Sequence, residues 1–174
     1  IPSIITLITS KGGAGKSTLA QGLCSHWFNL KLKPAMIDAD PQSSVARLHD
    51  PQGPLSSVPV VADTEESVMN RIEELSEHHK PVIIDTAGFR NKTNVVAVAY
   101  SDLALIPLKP STEDVKAAID TYDLIQQVNE TDVRENIGHP VQVMMVLTMT
   151  QRGTVIAKHV RQELESAGYP LLKN

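Results

Sequence analysis

Ser10-Lys11-Gly12-Gly13-Ala14-Gly15-Lys16-Ser17-Thr18 stands between an apolar run, Ile4 to Thr9, and a stretch of helical periodicity that opens at Ser17. That order of strand, glycine-rich loop and helix decides the fold. Glycines at 12, 13 and 15 admit backbone torsions closed to other residues. Successive N–H groups can then turn inward onto a polyphosphate while the following helix offers its positive end. Lys16 is placed to reach the β- and γ-phosphates and the Ser17 hydroxyl to ligate Mg2+, the mechanics of the G-x-x-x-x-G-K-[ST] pattern. Gly12, Gly13, Ala14, Gly15, Lys16, Ser17 and Thr18 are therefore the candidate phosphate-binding residues. One position departs from the pattern: Ser10 stands where the first glycine belongs, and a second lysine, Lys11, follows it.

Outward from the loop, Ile4 to Thr9 is β-branched and apolar on both faces, as a central parallel strand requires. Leu19, Ala20, Leu23, Cys24, Trp27 and Phe28 form the buried stripe of a helix running to about Lys33-Pro34, which makes Cys24 a core residue. Ala35-Met36-Ile37 is a short strand that delivers Asp38-Ala39-Asp40-Pro41-Gln42 to its C-terminal end, where parallel sheets place ligands. Carboxylates at i and i+2 of an extended segment share a side, so Asp38 and Asp40 can both face the phosphates and the metal.

Ser43 or Ser44 can cap a short helix through His49, and Asp50 to Pro59 is a surface loop. Val58 to Ala62 reads as an edge strand because of Pro59. Thr64 is the expected N-cap of a helix with Glu65 and Glu66 in its first turn and Val68, Ile72 and Leu75 on its buried side. Val82-Ile83-Ile84-Asp85 is a strand closing on an acid that can hold a metal-bound water, and Thr86-Ala87-Gly88 after it is a loop able to rearrange. Ser17, Asp85 and Asp40 are the candidate metal residues. Downstream, the pattern predicts a helix from Thr93 to Tyr100, a strand from Leu103 to Leu108, and a helix of about four turns opened by Ser111 and Asp114 at capping-box spacing. A strand from Val141 to Leu147 follows, then a last helix with Val155, Ile156, Val160 and Leu164 as its stripe, ended by Gly168. Leu171-Leu172 looks like a strand beginning.

The alternation of strands and helices argues for an α/β sandwich, a mostly parallel sheet with helices on both faces, formed by one domain over 1–174. The chain has 174 residues, 41% of them hydrophobic and 21% charged, with net charge −4, so nucleic-acid contact would need a local basic patch rather than the global field. A single cysteine excludes a disulfide framework and a cysteine-built metal site within one chain, and fits the cytoplasm. No apolar run approaches the length of a membrane helix.

Lys-Gly-Gly-x-Gly-Lys-[ST] resembles the deviant Walker A box of the ParA/MinD group of P-loop ATPases. Asp38-x-Asp40-Pro41-Gln42 looks like the Walker A′ box of ParA proteins, and Val82 to Gly88 is Walker B in form. Ser101 to Pro107, Pro110-Ser111 and Leu147-Thr148-Met149 extend the likeness over nearly the whole chain. The resemblance implies slow, Mg2+-dependent ATP hydrolysis at a sandwich dimer. In it Lys11 acts on the partner's nucleotide, Lys16 neutralises the phosphates, Asp40 with help from Asp38 orients the attacking water, and Thr148 and Met149 contribute to the nucleotide site. It also implies a small centromere-binding or adaptor partner and ATP-dependent, sequence-non-specific DNA binding that places the protein on the nucleoid, the role of plasmid-partition and cargo-positioning ATPases. Arg152, Lys158 and Arg161 are the candidate DNA contacts, Lys158 and Arg161 being i, i+3 on one side of the last helix. MinD-like membrane positioning and a small-molecule enzyme of the dethiobiotin synthetase type are the alternatives. ParA proteins continue past a strand like Leu171-Leu172 into a closing segment, so the natural protein is expected to extend beyond Asn174.

Overall fold

Ile5 and Leu7 have no polar face to offer water, and the sheet places them at its sheltered middle. The computed structural model describes residues 2–42, 45, 50, 52–64, 67–88, 92–151 and 154–173. In it β1 (Ile4–Leu7) lies between two neighbours in a six-stranded, all-parallel sheet. Those neighbours are β4 (Val82–Thr86) and β5 (Leu103–Leu108). Outward on one side come β2 (Ala35–Ala39) and the short edge strand β3 (Val60–Ala62), and on the other side β6 (Gln142–Leu147), giving the order β3-β2-β4-β1-β5-β6. The expected α/β sandwich is borne out, and Pro59 does precede an edge strand.

Among the described residues six helices accompany the strands: α1 (Lys16–Asn29), α2 (Val68–Ser76), α3 (Lys92–Ala99), α4 (Thr112–Asn129), α5 (Asp132–Ile137) and, after the last strand, α6 (Val155–Ser166). Alternation along the strands divides the core between two faces. Ile5, Leu7, Met36, Ile83 and Leu105 pack against Ala20 and Cys24 of α1. On the other face Ile37 and Ile84 meet Val68 and Ile72 of α2 and Ala97 of α3, and Ala104, Ile106 and Met145 meet α4 and α6. Cys24 is fully buried, and burial pushes its thiol up to about 11, so it behaves as the small core hydrophobe expected.

Several boundaries differ from the sequence reading for identifiable reasons. Helix α1 stops at Asn29, short of Lys33, because Lys31 takes φ 64°. The N–H groups of Lys31 and Leu32 then close back onto the carbonyls of Phe28 and Trp27 at 2.9 and 3.0 Å. This is a Schellman closure with lysine in the usual glycine position, a choice that costs about 1 kcal/mol. Helix α2 is described only from Val68, after Ser67, with Glu65 and Glu66 outside the described residues; Thr64 serves as an acceptor, its carbonyl taking the Thr93 hydroxyl at 3.0 Å. The short helix placed at 43–49 also lies mostly outside them. Helix α4 is longer than expected at 18 residues, about five turns.

Helix α5 had no counterpart in the sequence reading. Its Arg134, 2% exposed, donates to the carbonyls of Ala99, Ser101 and His139 and so ties α5 to the end of α3. In α6 only Val160 and Leu164 are buried. Val155 and Ile156 are 81% and 62% exposed, which corrects the stripe assigned to them. Leu171 bridges Met145 at the outer edge of β6, as its apolar character suggested.

Candidate functional site

Every parallel strand of the sheet points its C-terminal end to the same pole, and the glycine loop leaves β1 there. Gly13 and Gly15 take φ of 73° and 88°, torsions closed to side-chain-bearing residues, so the loop curls back on itself before α1 begins. Gly12 has no positive φ, which narrows the torsional argument to Gly13 and Gly15. Gly15 caps α1 without a side-chain hydrogen bond, leaving the first N–H groups of the helix without side-chain partners. They face a cleft of about 460 Å3 lined by Gly12, Gly13, Gly15, Lys16, Ser17, Thr18, Asp40, Gln42, Ala87 and Met149. A basic helix start with open N–H groups is anion-binding chemistry. Gln42 and Ala87, read from sequence only as parts of the Asp38–Gln42 box and the Thr86–Gly88 loop, also line the cleft.

Lys16 is 8% exposed, and burial lowers its pKa, opposed by Asp85 and Asp40. The cradle therefore holds a poorly solvated cation. Beneath it Asp85, 1% exposed, has the Ser17 hydroxyl as its nearby donor and no close hydrogen bond on either carboxylate oxygen. Burial pushes Asp85 up to about 6; the nearby Ser17 hydroxyl and Lys16 oppose the shift, and Asp38 and Asp40 add to it. Asp38 is its register partner on the adjacent strand, so two like charges lie side by side. An under-satisfied buried carboxylate beside a hydroxyl fits a magnesium ion and its water shell. Among the described residues no group of three or more His, Cys, Asp or Glu could enclose a metal by itself. The ion would accordingly be held by Ser17, by phosphate oxygens and by water oriented on Asp85, with Asp40 at the same rim.

Asp38 and Asp40 divide their work. Asp38 is fully buried at the end of β2, does not line the cleft, and accepts the N–H groups of Asp40 and Val45 at 3.2 and 2.9 Å. It shapes the loop rather than facing the phosphates as its spacing suggested. Asp40 lines the cleft, and its carboxylate accepts the Gln42 N–H at 2.9 Å in an Asx turn.

Lys11 points away from its own cradle. Its ammonium sits 2.8 Å from Asp114 and 2.9 Å from Glu113 at the start of α4, and these hydrogen bonds raise its pKa. Asp114, which burial alone would raise, is held below its ordinary range by Lys11, the Ser111 hydroxyl and the Lys109 N–H. Half of the capping box read from Ser111 and Asp114 is present: Ser111 accepts the Asp114 N–H, but the Ser111 N–H donates to the Lys109 carbonyl instead of returning to Asp114. Its second use, holding Lys11, carried no signal in sequence because 103 residues separate the partners. Ser10 is anchored on the same helix: its N–H donates to Thr121 at 3.2 Å and its hydroxyl to the Ala117 carbonyl at 3.3 Å. A glycine at position 10 would supply only the first of these.

Thr148 supports the cradle from below, donating its hydroxyl to the buried Ala14 carbonyl at 2.8 Å, while Met149 lines the cleft. Gly88, φ 140°, passes so close to the start of the loop that a Cβ there would stand 3.3 Å from the Thr9 carbonyl. The Walker B turn and the phosphate loop therefore touch. At the candidate DNA contacts, Lys158 is exposed, but Arg161 bonds Glu165 at 3.4 Å and the Leu172 carbonyl at 3.3 Å, and Arg152 lies outside the described residues.

A protein-family model described as VirC1 protein matches residues 3–171. The chain belongs to the VirC1 family. This VirC1-family chain is 28% identical over 172 residues to protein virC1 of Rhizobium radiobacter, covering 94% of this chain and 72% of that one. It is also 28% identical over 144 residues to protein ParA of the same species, covering 82% of this chain and 64% of that one. The chain thus spans just under two thirds of that ParA's length. Among solved structures, a variant of McdA from Cyanothece in complex with ATP superposes with a TM-score of 0.71 at 20% identity, covering 97% of this chain and 81% of that one. The resemblance to the ParA/MinD group is borne out by these relatives and by the shared fold. Among the described residues no helix is long and apolar enough to cross a membrane.

Proposed function

We propose that this VirC1-family chain is a Mg2+-dependent ATPase that dimerises on ATP and segregates or positions DNA or another cargo through ATP-gated, sequence-non-specific DNA binding. The carrying observation is the cradle with an under-satisfied acid beneath it: Lys16 buried among open N–H groups, and Asp85 buried with no close hydrogen bond and only the Ser17 hydroxyl nearby. A bound phosphate chain would supply the negative charge Lys16 lacks. Mg2+, when bound, supplies the positive charge that developing phosphate oxygens need. Asp40, at the rim, orients the attacking water. Its role there is to position that water against the phosphate chain.

Lys11 supports the dimer reading by where it is. Held by Glu113 and Asp114 outside its own cleft, it is spare to the chain's own phosphates, and its transfer to a partner's nucleotide would add charge as an arginine finger does. A small centromere-binding or adaptor protein is the expected stimulator of turnover, and the cytoplasm, on the nucleoid while ATP is bound, the expected location. The test is light scattering and phosphate release with Mg-ATP, Mg-ADP and ATP plus chelator. Dimers and turnover are expected with Mg-ATP alone. A protein that stayed monomeric and inert at saturating Mg-ATP would refute the reading.

A further inference from the structure

The pole opposite the nucleotide cleft carries a cluster of charge that nucleotide binding leaves unused. There the turn from α1 into β2 runs beside the turn from α2 into β4, and Lys33 and Lys80 oppose each other in an isolated antiparallel bridge, with the Lys80 N–H donating to the Lys33 carbonyl at 2.9 Å. Residues directly opposed across such a bridge hold their Cβ atoms about 5 Å apart, and like charges in that position repel. Two residues upstream Lys31 occupies the left-handed helix-ending position that glycine fills at no steric cost. All three lysines are exposed, and none has an ion-pair or hydrogen-bond partner for its ammonium among the described residues. The nearby Glu77 faces His78, at 3.9 Å.

A lysine just past a helix end gains from the helix dipole, which accounts for Lys31 being charged. It does not account for Lys33 facing Lys80. In a chain of net charge −4, an opposed pair of unpaired cations joined by a third is a local reversal of sign. We propose that Lys31, Lys33 and Lys80 form the surface that grips the DNA backbone, a proposal that rests on the reading of the protein as a DNA-binding ATPase. Compact ammonium groups on flexible stems, with no arginine fork among them, suit phosphates of any sequence and carry no base readout. Helix α6 offers less: Arg161 is committed to Glu165 and Leu172, and Glu163 lies beside them.

The position of the surface bears on its control. A dimer closing across the clefts leaves the two lysine surfaces on its outer poles. ATP then acts through valency: a monomer holds one stretch of duplex and a dimer two, so retention on long or crowded DNA rises steeply while the single contact stays weak.

Three phosphates neutralised per subunit give a slope of log K against log salt near −2.7, which is about a 40-fold loss of single-site affinity between 50 and 200 mM salt. The experiment titrates a short duplex that admits one subunit, and a long arbitrary duplex, with the protein in Mg-ATP or Mg-ADP across that salt range. On the short duplex, Lys80→Gln is expected to reduce the slope by about 0.9, and the Lys31→Gln, Lys33→Gln, Lys80→Gln triple to lower affinity at least tenfold at 50 mM salt. The corresponding arginine triple should bind like the parent. Light scattering with Mg-ATP on every variant shows that each folds and dimerises.

A dimerising glutamine triple that binds short and long duplexes like the parent overturns this surface and leaves the DNA-binding reading intact. The surface is overturned in the same way if Lys158→Ala with Arg161→Ala is the variant that loses binding. A parent that ignores both duplexes at 50 mM salt removes the DNA-binding reading itself. A parent that instead binds phosphatidylglycerol vesicles through these lysines assigns the surface to a membrane and overturns the proposal.

Discussion

Asp85→Asn isolates the tension on which the site is built. In the folded chain the carboxyl is pushed from an ordinary 3.8 up to about 6. Between those two values the folded protein keeps a proton that the unfolded chain has already released. Each rise in pH through that window therefore favours the unfolded state, and the loss levels off about one unit above the folded value. A shift of about two units is worth about 3 kcal/mol at neutral pH, a cost the folded protein carries for a buried ionised acid that the Ser17 hydroxyl offsets only in part. The neutral amide removes that charge in the same volume. Without nucleotide, Asp85→Asn should thus match the parent near pH 4 and exceed it increasingly up to about pH 7, by as much as about 3 kcal/mol, or about 6–12 °C in a domain of this size. The assay is thermal unfolding of both proteins from pH 4 to 8, without ligand and then with Mg-ATP. Mg-ATP should stabilise the parent strongly and the variant little. Two outcomes contradict this account: a variant less stable than the parent at pH 7.5 without ligand, or a difference that shrinks as pH rises from 4 to 6.5. Either would show that Asp85 is satisfied by the protein itself and is not reserved for a cation.

Lys16→Ala should abolish nucleotide binding in a fluorescent-ATP titration, whereas Lys11→Ala should bind as a monomer yet show no ATP-dependent rise in light scattering; dimerisation by the latter would end the role in trans. Asp114→Asn, which weakens the hold on Lys11 while keeping the Ser111 cap, should dimerise at lower ATP concentration than the parent, read in the same assay. Asp40→Ala should accumulate the ATP-bound dimer and release phosphate slowly, and full turnover would clear Asp40 of any part in hydrolysis. Arg134→Ala removes three buried donors to backbone carbonyls and should cost about 3 kcal/mol in denaturant unfolding, with nucleotide affinity unchanged.

What could be read from the sequence, and what could not, follows from the range over which each interaction acts. Strands β1, β2, β4 and β5 were legible because a buried parallel strand must be apolar on both faces, a property its own residues carry. The phosphate loop was legible because torsion and charge at Gly13, Gly15 and Lys16 are local. Helix α5 was not: six residues give too few turns for a period to emerge, and its anchor, Arg134, reads as a surface charge until Ala99 and Ser101 are brought beside it. The stripe of α6 was drawn one turn too long: Val155 and Ile156 share helical spacing with Val160 and Leu164 but stand exposed at the start of the helix. Asp38 and Asp40 share a side in an extended segment, yet the chain turns after Ala39, and that turn is what Asp38 is used to build.

Position 10 sets the limit most sharply. Sequence shows that a serine replaces a glycine and that a lysine follows, which suffices to recognise a deviant loop. It cannot show that Ser10 bonds Ala117 and Thr121 while Lys11 bonds Glu113 and Asp114, so that both deviations end on one helix. Moving Lys11 toward a partner means breaking two charge-assisted bonds to α4 while the Ser10 bonds still hold the loop's entrance to it. The start of α4 then loses its compensating cation, leaving Asp114 buried with Ser111 and the Lys109 N–H as its remaining partners. If Lys11 acts in trans as proposed, the nucleotide-dependent step would be felt first at the start of α4, the element that holds Lys11 in this structure.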